Sequence, residues 1–104
     1  MTIKIFDLAK LDLVDGFRFY EAQSPGIGHY FLNSLYSDID SLSLYAGIHP
    51  KKFENFHWML SKRFPYAIYY TVDGELISVR AVLDCRQNPS KLEERLKKDR
   101  AKRL

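Results

Sequence analysis

Apolar and polar positions alternate most regularly between Leu60 and Pro89. Tyr66, Ile68, Tyr70, Ile77, Val79 and Ala81 fall on one side of the alternation, and Ala67, Tyr69, Thr71, Leu76, Ser78, Arg80, Val82 and Asp84 on the other. Two such runs separated by Asp73-Gly74 predict a β-hairpin, because Asp-Gly supplies the positive φ that a type I′ turn needs at both central positions. With these residues as the turn, Val72 faces Glu75, and the pairs Tyr70/Ile77, Ile68/Val79 and Tyr66/Ala81 follow. The expected ribbon has one core face and one working face. Ala67, Tyr69 and Arg80 share the working face, and the register is held by the cost of burying Arg80.

Upstream, Ile3 and Ile5 alternate with polar neighbours and predict a short strand over Thr2 to Phe6. Leu8, Leu11, Leu13, Val14, Phe17 and Tyr20 then recur at helical spacing, which predicts an amphipathic helix from Ala9 to Ala22. Gly16 inside it costs about 1 kcal/mol relative to alanine, so a close helix crossing is the expected use of its missing side chain. Ser24-Pro25 reads as the start of a second helix, with serine as cap and proline at the first helical position. Phe31, Leu32, Leu35, Ile39 and Leu42 line one face of that helix to about Tyr45. The short link makes the two an antiparallel hairpin, and Gly47 to Pro50 ends it.

A third strand pattern covers Phe53 to Phe64, with Phe56, Trp58 and Leu60 alternating against His57, Met59 and Ser61. After the β-hairpin, Ser90 and Glu93 have capping-box spacing, which predicts a last helix at about 90–104. Only Leu92, Leu96 and Leu104 offer it apolar anchors, so mobility or dependence on a partner is expected. The order is β-α-α-β-β-β-α: a single α+β domain over 1–104, with an N-terminal strand and an antiparallel helical hairpin packed on a largely antiparallel sheet.

Charge adds one feature. Of a net +3 over 104 residues, the excess lies at the end, where Lys91, Arg95, Lys97, Lys98, Arg100, Lys102 and Arg103 crowd together. That clustering fits an acidic or polyanionic partner, and equally a solvated helix face. The single Cys85 has no metal-ligand spacing around it and is expected as a small buried hydrophobe. His29, His49 and His57 lack an accompanying catalytic group, and no metal or cofactor is expected. No apolar run approaches the roughly 18 residues of a membrane span, and no signal-peptide pattern opens the chain, so the expectation is cytoplasmic with no membrane partner.

Phe19-Tyr20-Glu21, Gln23-Ser24-Pro25-Gly26-Ile27-Gly28 and Phe31-Leu32, followed by Lys62-Arg63-Phe64-Pro65-Tyr66-Ala67-Ile68-Tyr69-Tyr70, Ala81-Val82-Leu83, Arg86 and Pro89, form an ordered pattern. In this order and spacing the chain resembles the RelE/ParE superfamily of type II toxin–antitoxin toxins, and its Pro-containing segment places it nearer the ParE-like branch. The resemblance implies a small bacterial growth-inhibiting toxin, of the kind used in plasmid stabilisation and neutralised by a cognate antitoxin protein. DNA gyrase is the target associated with the ParE-like branch.

RelE-like relatives are instead ribosome-dependent mRNA endoribonucleases. Their chemistry needs a group to activate the ribose hydroxyl, one to protonate the leaving oxygen and a cation for the phosphorane. Of the two arginines and the tyrosine they use, Arg86 matches one position, while the others fall on Ala67 and Leu92. This disfavours RelE-type chemistry unless neighbouring groups substitute, and an inactive antitoxin-binding homologue is a further alternative. The candidates for target or phosphate binding are Arg63, Tyr69, Arg80 and Arg86; those for antitoxin contact are Leu76, Val82, Leu92 and Leu96.

Overall fold

A two-residue loop joins the central strands, β4 (Tyr66–Asp73) and β5 (Leu76–Asp84). The loop is Gly74-Glu75, because Asp73 still pairs with Leu76. Positive φ occurs at Gly74 (61°) and not at Glu75, the pattern of a type II′ turn rather than the expected I′. The register near the turn is therefore shifted by two residues, to Val72/Ile77 and Tyr70/Val79. A shift of two preserves the faces.

A bulge does not. Tyr70 pairs with Val79 but Tyr69 pairs with Ala81, leaving Arg80 as the extra residue on β5. Beyond it the alternation inverts: Val82 turns to the same core as Val79, and Ala81 joins Ala67 and Tyr69 in another. The expected placements of Ala81 and Val82 are thus exchanged.

The computed structural model describes residues 1–53 and 55–101, with 99–101 described by backbone alone. In chain order the remaining elements are β1 (Thr2–Ile5), α1 (Asp7–Gln23), α2 (Ile27–Asp40), α3 (Leu42–Tyr45), β2 (Lys51–Lys52), β3 (Phe56–Leu60) and, after β5, α4 (Pro89–Ala101). The sheet order is β1-β5-β4-β3-β2; β1 runs parallel to β5, and the other pairs are antiparallel.

The first core lies between the helical hairpin and the sheet, where Leu13, Phe31, Leu35 and Ile39 meet Met59, Ile68, Tyr70, Ile77, Val79 and Val82. Phe64 and Tyr66 enter it edge-on to Phe31, at centroid distances of 5.1 and 4.9 Å. A second core on the opposite face joins Phe56, Ala67, Tyr69, Ala81 and Leu83 to Leu92 and Leu96 of α4. β3 is shorter than expected and serves both cores, Phe56 and Trp58 on one side and Met59 on the other, while Leu60 is exposed.

The start of α2 also departs from expectation. Ser24 closes α1, its N–H donating to Tyr20 O, and Gly26 at φ 93° precedes the first turn of α2. The capping carboxylate comes from α1: Glu21 accepts the N–H groups of Gly26 (3.0 Å) and Gly28 (2.9 Å). The helix expected to reach Tyr45 breaks at Ser41, whose hydroxyl donates to Asp38 O. The buried Asp38 carboxylate accepts from Ser61 Oγ at 2.7 Å and ties α2 to the link after β3.

Candidate interaction site

The exposed basic residues flank the β4–β5 ribbon. Arg86 follows β5 and is clamped by a residue two positions away: its Nε and Nη2 donate to Asp84 Oδ1 and Oδ2 at 2.9 and 2.7 Å, and its backbone N–H also donates to Oδ1. This fork-to-fork pair lowers the Asp84 pKa, chiefly through the Arg86 side-chain hydrogen bond, and raises that of Arg86. With its side chain 60% exposed, Arg86 still faces solvent. Arg63 lies exposed on the link between β3 and β4, its guanidinium 5.9 Å from the Tyr30 ring.

The other two candidates of this group are buried. Tyr69 sits in the second core at 2% exposure, and burial pushes its hydroxyl pKa up to about 12. Arg80, at 6% exposure, occupies the bulge; its Nε donates to Thr71 Oγ1 at 3.2 Å and its guanidinium lies 4.2 Å from the centroid of Phe6. The expectation that the register keeps Arg80 out of the protein is corrected: the bulge lets it lie along the sheet, against a ring the sequence does not place there.

Of the antitoxin-contact candidates, Leu76 is at the surface, 36% exposed beside the turn. Val82 is in the first core, and Leu92 and Leu96 are in the second. The working-face placement expected of Val82 is corrected, since the bulge turns it inward, while Leu92 and Leu96, the expected anchors of α4, close onto the sheet. Nor is α4 loosely held over its described part. Arg95 makes a bidentate pair with Asp12 of α1, at 2.6 and 2.9 Å, and Asp12 also accepts the Val82 N–H at 2.9 Å. Leu104, Lys102 and Arg103 lie outside the described residues.

Cys85 is exposed rather than buried, its backbone N–H donating to Pro65 O. His57 stacks on Tyr70 and bonds through Nδ1 to His49 O; Tyr70 hydroxyl meets His49 Nδ1 and accepts the Gly47 N–H. Burial lowers the His49 pKa and raises that of Tyr70, and the cluster braces the loop after α3 against the sheet. Among the described residues no group of His, Cys, Asp and Glu is placed to hold a metal, and no helix is long and apolar enough to cross a membrane.

Two grooves remain. One of about 250 Å³ follows the edge of β5 against α1, between Asp12, Asp15, Phe19, Tyr66 and Asp84. The larger, about 640 Å³, lies over the half of the sheet that α4 leaves uncovered; Lys4, Phe6, Lys51, Thr71, Leu76 and Arg80 help to line it. Sequence reasoning missed this groove. The alternation of Ile3 and Ile5 does place Lys4 and Phe6 on the other side of β1, but nothing local states that β1 lies beside β5.

No protein-family model and no curated protein matches the chain. A solved structure described as "Chromosomal ParDE TA system from P. aeruginosa" is similar in three dimensions, with a TM-score of 0.73 at 17% identity, covering 79% of this chain and 92% of that chain. The strand–helical hairpin–sheet arrangement built around Tyr20, Phe31, Phe64 and Tyr66 is accordingly the fold of a chain in that ParDE structure.

Proposed function

We propose that this protein is the toxin of a type II toxin–antitoxin pair, of ParE-like type, which inhibits a bacterial target such as DNA gyrase by binding and is neutralised by a cognate antitoxin. The observation that carries the reading is the fold shared along most of both chains with a ParDE toxin–antitoxin structure. The choice of branch is supported by Ala67 and Leu92. These stand where the family resemblance has a catalytic arginine and tyrosine in RelE-like nucleases, and both are buried apolar side chains packed in the second core. Neither can stabilise a phosphorane or transfer a proton.

Induced expression in bacteria tests the reading. Growth arrest with inhibited supercoiling and DNA-damage signalling, relieved by the product of the adjoining gene, is the expected result. Codon-specific mRNA cuts would instead identify a ribosome-dependent endoribonuclease with substituted groups. Tight antitoxin binding with no growth effect would identify an inactive homologue.

A further inference from the structure

Tyr66 is 8% exposed and packs edge-on against Phe31, yet its hydroxyl makes no hydrogen bond among the described residues. Nor is its oxygen sealed away, because the residue lines the 250 Å³ groove between α1 and the outer edge of β5. Burial, with the Tyr20 phenol and the Asp84 carboxylate nearby, pushes its pKa up to about 12. It therefore stays a neutral hydroxyl with lone pairs to offer. A polar group in a side chain so deeply buried ordinarily has a partner; this one faces a groove.

The charge of the groove names the kind of partner. Asp12, Asp15 and Asp84 line it, and no cation does among the described residues. Arg95 holds Asp12 and Arg86 holds Asp84, so those two carboxylates are already neutralised from beside the groove. Asp15 differs: it is exposed on α1 and has no such pair among the described residues. Phe19 follows it by one helical turn and lines the same groove with a half-exposed ring. An unpaired carboxylate, an aromatic ring and an unused hydroxyl oxygen thus converge on one small space.

We propose that this groove binds a primary ammonium on a short unbranched alkyl chain, with its charge between Asp15 and the Phe19 ring and one N–H donated to the Tyr66 hydroxyl oxygen. A volume of about 250 Å³ lies below the roughly 300–1,000 Å³ of sites for drug-sized ligands, which suits so small a group. A metal ion is the poorer occupant, since guanidinium groups engage two of the three carboxylates and no described group of residues is placed to coordinate one. Anions are repelled by the same lining. A free alkylamine and a lysine side chain share the required chemistry. The site goes beyond the toxin reading and does not rest on it.

The probe is n-butylammonium chloride, titrated into the isotope-labelled full chain near neutral pH with ionic strength held constant by sodium chloride. Saturable shifts of the Gly16, Phe19 and Gln87 amide signals are expected in the low-millimolar range, as for a ligand of so few heavy atoms; n-butanol should give none. Asp15→Asn should weaken binding at least about fivefold. Tyr66→Phe deletes an oxygen without an internal partner and should weaken it at least about threefold with an unchanged melting curve. Asp73→Asn, at the ribbon tip away from the groove, should change it less than about 1.5-fold. Shifts that do not saturate, equal binding of n-butanol, or saturation that neither Asp15→Asn nor Tyr66→Phe weakens overturns the proposal. A lowered melting midpoint in Tyr66→Phe also overturns it, because the hydroxyl then has its partner within the protein. Nα-acetyl-lysine methylamide separates the two sources: tighter binding than n-butylammonium assigns the groove to a lysine side chain of another protein, and equal or weaker binding to a free amine.

Discussion

A Cβ placed on Gly16 would lie 2.4 Å from Cζ of Phe31, a ring with no exposed surface and neighbours on every side. Helix propensity alone would reward Gly16→Ala by about 1 kcal/mol. Forcing the packed ring aside costs about 1–3 kcal/mol, so the expected outcome is a net loss of stability, read as a lower urea midpoint. The sequence shows that a glycine sits inside a helix; only the crossing of α1 and α2 names what fills its place. Glu21 was legible as part of a family pattern, but its task was not. Its pKa is lowered, first by the Gly26 and Gly28 N–H groups. A depressed carboxylate contributes stability above its unfolded pKa and loses it as pH falls through the folded value. Glu21→Gln should therefore lower stability at neutral pH and reduce the difference from the parent below pH 4.5, as denaturant titrations across pH will show. Arg86→Ala removes an exposed ion pair whose loss alters stability little. Under the proposed toxin function, the expected result is an unchanged melting curve with weakened growth arrest; a large drop in the melting midpoint would make the residue structural.

Strands and helices were mostly visible in the periodicity, while their registers were not. The two-residue shift at the turn arises because Gly74 rather than Asp73 takes the first central position. Local sequence does not discriminate between these neighbouring turns. The bulge at Arg80 matters more, since it turns Val82 into the first core and brings the Val82 N–H to Asp12. Asp12 joins three elements by accepting that N–H from β5 and a bidentate pair from Arg95 of α4, with side-chain exposures of 10% and 20%. Asp12→Ala disrupts a largely buried pair, which costs on the order of 2–4 kcal/mol with the exposure discounted. Faster hydrogen exchange in α4 than in β4 is the expected signature, because α4 loses its tie to α1 while the sheet keeps its ladder.

The complete molecule stacks helices on both faces of one sheet, unevenly. Leu92 and Leu96 are enough to seat α4 because Ala67 and Ala81 leave room beneath them. Leu96→Ala should cost about 2–4 kcal/mol, as for a fully buried leucine, in equilibrium unfolding; a negligible change would mean that the helix is not packed in solution. Periodicity and turn chemistry by themselves determined the order of the main elements, the helical hairpin and the ribbon, because each depends on residues close in the chain. Even the residues that carry the resemblance are largely structural, since Tyr20, Phe31, Phe64 and Tyr66 pack together. Tertiary structure decided the rest: β1 lies beside β5, a bulge exchanges two faces, α4 covers half of the sheet, and Lys4, Phe6 and Arg80 line a groove over the other half. These depend on contacts between segments far apart in sequence, where a single extra residue on one strand reverses which side chains meet solvent.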